Sequence, residues 1–161
     1  MNSEAEYRMI FEKAMVGIFR SSADGRVLDI NPASARILGF DSPEEIVRTI
    51  EDIGSQLYVN PEDRAKLLRL LDEESMVEGF ETRLYKKDRS IIRVLLNIDC
   101  VKDEKGRIVW LEGTLQDITK TREAEEALRQ AEEKYRNIYE NALEGIFQTT
   151  PDGGSSVQIP P

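Results

Sequence analysis

The stretch at residues 4–25 returns at 132–153, with Tyr7, Arg8, Ile10, Glu12, Ala14, Gly17, Ile18, Phe19, Asp24 and Gly25 unchanged at an offset of 128 residues. Solenoid repeats recur every roughly 20–50 residues, so this longer spacing marks one domain with its linker, followed by the opening of a second. A chain of 161 residues holds only the first in full. Where the first copy continues Arg26-Val27-Leu28-Asp29-Ile30-Asn31-Pro32, the second gives Gly154-Ser155-Ser156-Val157-Gln158-Ile159-Pro160-Pro161. That ending carries no apolar periodicity, and a truncated second unit with a flexible tail is expected.

A 40% hydrophobic fraction is enough to close one core, while 33% charged residues points to helical surface standing free in water. The net charge of −9 repels phosphate backbones, and no basic stripe interleaved with aromatics offsets it, so a nucleic-acid partner is not expected. The longest apolar runs, such as Val94-Leu95-Leu96, fall far short of the ~20 residues that cross a bilayer. Membrane insertion is not expected either, and the N-terminus lacks the features of a signal peptide; a cytoplasmic location is.

The sequence contains no histidine, which removes Ser-His and Cys-His nucleophile pairs, His-zinc sites, His-ligated haem and phosphoryl-accepting histidine. Its one cysteine, Cys100, cannot form an intrachain disulfide or a cysteine metal cluster, and is read as a small buried hydrophobe. Carboxylate runs such as Asp72-Glu73-Glu74 and Glu123-Glu125-Glu126 are read as solvated helix faces, because no nucleophile-base pair or phosphate-cradling glycine loop accompanies them. Neither catalysis nor a metal site is expected.

Ser3 followed by Glu6 is a capping-box signature for a first helix, ending near Ala14 and carrying Tyr7, Ile10 and Phe11 on one side. Two strands then flank the turn Ala23-Asp24-Gly25. Asn31-Pro32, Ser42-Pro43 and Asn60-Pro61 each pair an N-cap with a first-turn proline. The third opens a helix whose Leu67, Leu68, Leu70 and Leu71 form the apolar face, with Arg64, Lys66 and Arg69 expected in solvent. Short helical turns carrying Ile46, Ile50, Ile53 and Leu57 are expected before it.

From Val77 the period changes to two, predicting long strands over 77–86, 90–102 and 107–116. Ile92, Val94, Leu96, Ile98 and Cys100 share the core face of the middle strand. In the last strand Val109, Leu111 and Leu115 share one face, and Ile108 and Trp110 the other, so the outer face needs a cover too. Beyond Asp117-Ile118-Thr119, a heptad seam of Ala124, Leu128, Ala131, Tyr135, Ile138 and Ala142 predicts a coiled-coil-like helix. Glu125–Arg129 and Glu132–Arg136 are its expected i,i+4 pairs. Gly145 to Thr150 repeats Gly17 to Ser22, and as a strand without a sheet it either stays disordered or adds to an exposed edge.

This order of elements resembles the PAS domain family of bacterial and archaeal sensor proteins, two-component systems among them. The match is carried by Tyr7-Arg8 with Gly17-Ile18-Phe19, Asp24-Gly25-Arg26, Asn31-Pro32-Ala33, Leu38-Gly39-Phe40, Pro61-Glu62-Asp63-Arg64, Gly79-Phe80-Glu81, Gly106 with Gly113, and Asp117-Ile118-Thr119. The resemblance implies an α+β fold, with a five-stranded antiparallel sheet in the order 2-1-5-4-3 and helices on one face. It further implies an N-terminal capping helix (1–15), a PAS domain (16–118), a helical signalling linker (119–142) and the start of a second PAS domain (143–161). The role implied is sensory, regulating a kinase or cyclic-nucleotide effector module that this sequence does not contain.

Two functional readings follow. A dimerising interaction module would use Tyr7, Ile10, Phe11, Trp110, Leu128 and Tyr135 at its interface, with the first helix covering Trp110 in the same chain or in its partner. Asp117 and Thr119 would relay conformational change into the linker. Alternatively, Ile37, Leu38, Leu57, Phe80, Leu84, Val94, Leu96, Ile98, Leu111 and Leu115 line a small-molecule pocket; the same side chains could simply fill the core. The cofactor is left unknown. His-ligated haem has no ligand here, and a cysteinyl-flavin adduct needs a helical cysteine whereas Cys100 falls in a strand; a non-covalent flavin, a metabolite or a fatty acid stays open.

Overall fold

The computed structural model describes residues 3–147. In chain order it contains α1 (Ser3–Lys13), β1 (Gly17–Ser22), β2 (Val27–Ile30), α2 (Pro32–Leu38), α3 (Pro43–Thr49), α4 (Ile53–Gln56), α5 (Pro61–Glu74), β3 (Met76–Tyr85), β4 (Ile91–Lys102), β5 (Ile108–Asp117) and α6 (Thr119–Phe147). The strands form one antiparallel sheet in the order β2-β1-β5-β4-β3, as the resemblance implies. The chain divides at Thr119 into two units: the sheet with α1–α5, and the helix that follows.

Three asparagine or serine caps start the helices that cover the sheet. Side-chain oxygens of Asn31, Ser42 and Asn60 accept from the amides of Ser34, Glu45 and Glu62, each just ahead of a first-turn proline. Asn31 does more than cap. Its Oδ1 also accepts from Ile18 N at 2.8 Å, and its Nδ2 donates to Phe11 O and Val16 O, both at 3.0 Å. One fully buried amide thus ties the end of α1, β1 and α2 together.

The helices lay Leu38, Ile46, Leu67 and Leu71 against Val94, Leu96, Ile98, Leu111 and Leu115 of the sheet. Ile50, Ile53 and Leu57 are buried with them, carried by α3, α4 and the turn after each. Cys100 packs half-buried at the margin of this core, where burial pushes its thiol pKa up.

Several expectations are corrected. Strict alternation in β5 places Val109 inward and Ile108 outward; instead Ile108 packs on the core and Val109 is exposed. The cause is a bulge, since Val101 pairs with Trp110 but Lys102 pairs with Ile108, which inserts one residue and inverts the faces beyond it. The cover over Trp110 is not α1 of the same chain. That helix packs on α2, while the Arg20 guanidinium stands 5.4 Å from the Trp110 ring and reaches Glu112 at 3.4 Å. Trp110 Nε1 donates to the same carboxylate, so Arg20 of β1 and Glu112 of its own strand give the ring a partial cover.

The third correction concerns the repeated segment. Gly145-Ile146-Phe147 continues α6 as helix rather than forming a strand, and the rest of that expected strand and tail lies outside the described residues. On α6, Arg129 pairs with Glu126 and Glu133, and Glu125 with Arg122, in place of the expected Glu125–Arg129 pair.

Candidate functional site

Between the sheet and α2, α4 and α5 lies a cavity of about 50 Å³. Of the ten side chains expected around a pocket, Leu38, Leu57, Leu84, Leu96, Ile98 and Leu115 line it, together with Phe19, Val27, Ile30 and Ile53. Val94 and Leu111 are fully buried elsewhere in the core, and Ile37 and Phe80 pack at its edge.

The cavity also has polar members that periodicity does not mark: Ser21, Tyr58 and Arg64, with Arg20, whose guanidinium is turned to Glu112 and Trp110. Ser21 follows Gly17 and Phe19 on the inward side of β1, and its Oγ is buried without a hydrogen-bond partner. Opposite it the bulge lies in β2, where Arg20 pairs with Asp29 but Ser21 pairs with Val27, leaving Leu28 as the extra residue. Tyr58 is pinned by its bridge to Leu84, and burial pushes its phenol pKa up against the opposing pull of Arg64. The hydroxyl is therefore a neutral donor and acceptor.

Arg64 was expected in solvent, yet it is 7% exposed. The signal was present in the sequence: Arg64, Leu67, Leu68 and Leu71 stand at i, i+3, i+4 and i+7, so the arginine belongs to the stripe that faces the core. Its stem passes Gly54, and its Nη2 donates to Ser22 O at 3.4 Å. The first turn of α5 is fixed by Asp63, whose Oδ2 accepts from buried Thr82 Oγ1 at 2.7 Å.

The second candidate site is the joint after β5. Thr119 N donates to Asp117 Oδ1 at 2.9 Å, and the Thr119 hydroxyl donates to the same oxygen at 2.6 Å. The hydroxyl accepts in turn from Arg93 N at 2.9 Å, while Ile118 N donates to Arg93 O at 2.9 Å. Ile118 is buried between them in the chain. The start of α6 is thereby clamped to both backbone groups of one residue on β4.

Of the residues expected at a dimer interface, Tyr7, Ile10, Leu128 and Tyr135 are exposed and Trp110 is half-buried. Phe11 is a correction: it is 2% exposed, with Tyr7 stacked on it and Arg8 over its ring, and is a packing residue of α1. Among the described residues no group of three or more Cys, Asp or Glu is placed to hold a metal ion, and no helix is long and apolar enough to cross a membrane.

The architecture is shared with solved PAS domains. One from Colwellia psychrerythraea superposes with a TM-score of 0.61 at 22% identity, covering 74% of this chain and 99% of that one. Two curated relatives are the sensor histidine kinase TmoS of Ectopseudomonas mendocina, 24% identical over 90% of this chain, and the probable diguanylate cyclase DgcE of Escherichia coli, 23% identical over 91%. The chain spans only 15% and 13% of the lengths of these two proteins. A family description, PAS domain, matches residues 14–120, and the chain belongs to that family of sensory modules.

Proposed function

We propose that this domain is the input module of a larger signalling protein, pairing with a second copy of itself and passing conformational change through Asp117-Ile118-Thr119 into α6. The observation that carries this reading is the clamp on Arg93. A shift of β4 relative to β5 moves the Arg93 amide and carbonyl, and both hold the first residues of the helix. The effector would be a kinase or a cyclic-nucleotide enzyme, the two activities named in the relatives, supplied by sequence outside this chain.

Pairing is supported by the helix itself. Along α6, Leu128, Tyr135, Ile138 and Tyr139 are exposed, with Tyr135 at 72%. Apolar residues at heptad spacing gain most of their burial from a partner helix. Ala124, Ala131 and Ala142 contribute little area, so the seam acts together with exposed Tyr7 and Ile10 on α1.

Asp117→Ala tests the relay. Loss of this cap, worth about 1 kcal/mol, raises amide exchange across the first turn of α6 about fivefold and weakens the dimer. Unchanged exchange together with unchanged dimer affinity would sink the relay reading.

A second reading, a small-molecule sensor, is favoured by the cavity. Well-packed cores leave few voids larger than a water, and this one sits against the central strands whose displacement the joint would transmit.

A further inference from the structure

Arg64 is 7% exposed, so its charge stands largely out of water. Burying a cation is costly unless an anion and several acceptors face it. The partners of Arg64 among the described residues are one carbonyl, Ser22 O at 3.4 Å, and the Tyr58 hydroxyl. No carboxylate of the described residues stands within 4.0 Å of it; the nearest in sequence, Asp63, is committed to Thr82. Ser21 Oγ, lining the same cavity, has no partner at all. A guanidinium offers five N–H donors in a planar fork suited to a carboxylate, so the site presents donors in excess and lacks one anion.

Apart from Arg20, whose guanidinium is engaged by Glu112 and Trp110, the remaining lining is aliphatic and aromatic, and it bounds the size of what enters. At roughly 10–15 Å³ for each water-sized occupant, a 50 Å³ cavity takes about three to five non-hydrogen atoms. A flavin or a long fatty acid needs a pocket of roughly 300 Å³ or more. The net charge of −9 opposes anion entry from a distance, but a Debye length of about 8 Å at physiological salt screens it, and the desolvated Arg64 dominates inside.

We propose that the cavity recognises a short-chain monocarboxylate of two or three carbons, its carboxylate held by Arg64 with the Ser21 and Tyr58 hydroxyls and its alkyl end by Leu57, Leu96 and Leu115. This inference rests on the small-molecule reading and gives it a ligand class. The carboxylate supplies the missing counter-charge and gives Ser21 Oγ an acceptor, while its methyl or ethyl group meets only apolar side chains.

The experiment is a thermal-unfolding titration of the full chain with sodium acetate and sodium propionate at constant ionic strength, alongside sodium chloride, ethanol and 1-propanol. The carboxylates produce a saturable rise in the unfolding midpoint that chloride does not. Arg64→Met weakens that affinity at least ~10-fold, as expected for charge-assisted hydrogen bonds, and raises the midpoint of the ligand-free protein by removing an unpaired buried charge. Ser21→Ala, which leaves the core volume nearly unchanged, weakens carboxylate binding while the ligand-free midpoint holds. It provides the same test should Arg64→Met fail to fold. Alcohols binding as well as carboxylates, with both variants indifferent, would overturn the carboxylate inference and leave the small-molecule reading standing. No shift with any of these compounds would overturn both.

Discussion

Replacing Asn31 by alanine lowers the stability of the domain by about 4 kcal/mol, from the loss of a helix cap at about 1 kcal/mol and the stranding of three backbone groups, two of them only partly buried, at about 1 kcal/mol each. The groups stranded are Ile18 N, Phe11 O and Val16 O, all of which meet this one side chain. Against a typical domain stability of roughly 5–15 kcal/mol, that loss is a large fraction of the whole. It is also directional. Because Asn31 Nδ2 holds the carbonyls at the end of α1 and just after it, α1 loosens before the sheet does. Urea unfolding followed by circular dichroism reports the global loss, and amide exchange over residues 3–13 reports the early release. A cost under 1 kcal/mol would mean that water or a neighbouring group replaces the amide.

Gly113→Ala is expected to be comparably damaging, for a different physical reason. Gly113 sits in β5 between Phe19 of β1 and Ile98 of β4, and a Cβ there would lie 2.2 Å from the Asn97 carbonyl oxygen and 2.9 Å from the Ile98 Cα. Neither is the far end of a flexible side chain, so relief requires β4 to move. Overpacking of this kind costs about 1–3 kcal/mol and occasionally more; the clash with backbone places Gly113 at the upper end. The same movement displaces Arg93, so the variant also frees the start of α6. An unchanged unfolding midpoint would show that the two strands separate more easily than this packing implies.

The sheet and its helices were legible because their signals are local and periodic. Asn31-Pro32, Ser42-Pro43 and Asn60-Pro61 mark helix starts by chemistry that acts within three residues, and Ile92, Val94, Leu96 and Ile98 alternate through an uninterrupted strand. Where the outcome depended on partners distant in sequence, the reading failed. The β5 bulge has no residue that announces it, and inverted the placing of Ile108 and Val109. Gly-Ile-Phe is a strand at residues 17–19 and a helix at 145–147. In the first copy β2 and β5 pair with it, whereas the described residues of the second lie on an exposed helix. Strand formation follows such neighbours more than the local sequence.

The candidate site divides the same way. Six apolar lining residues were foreseen from alternation and helical spacing, but the polar ones were not, because a charged residue on an amphipathic helix is ordinarily assigned to solvent. Arg64 sits on the leucine stripe of α5, and Ser21 shares its strand face with Phe19. Both positions were visible from periodicity once residue type was set aside. The clamp of Thr119 on Arg93 joins residues 26 apart in sequence and needed the sheet register to appear.

Native mass spectrometry of the freshly purified full chain, taken over the micromolar range, tests most directly whether this PAS domain works as a paired input module. The expected result is a species containing two 18.4 kDa chains whose population falls when Leu128 and Tyr135 are both replaced by serine. A single chain at every concentration, indifferent to those replacements, would contradict the account.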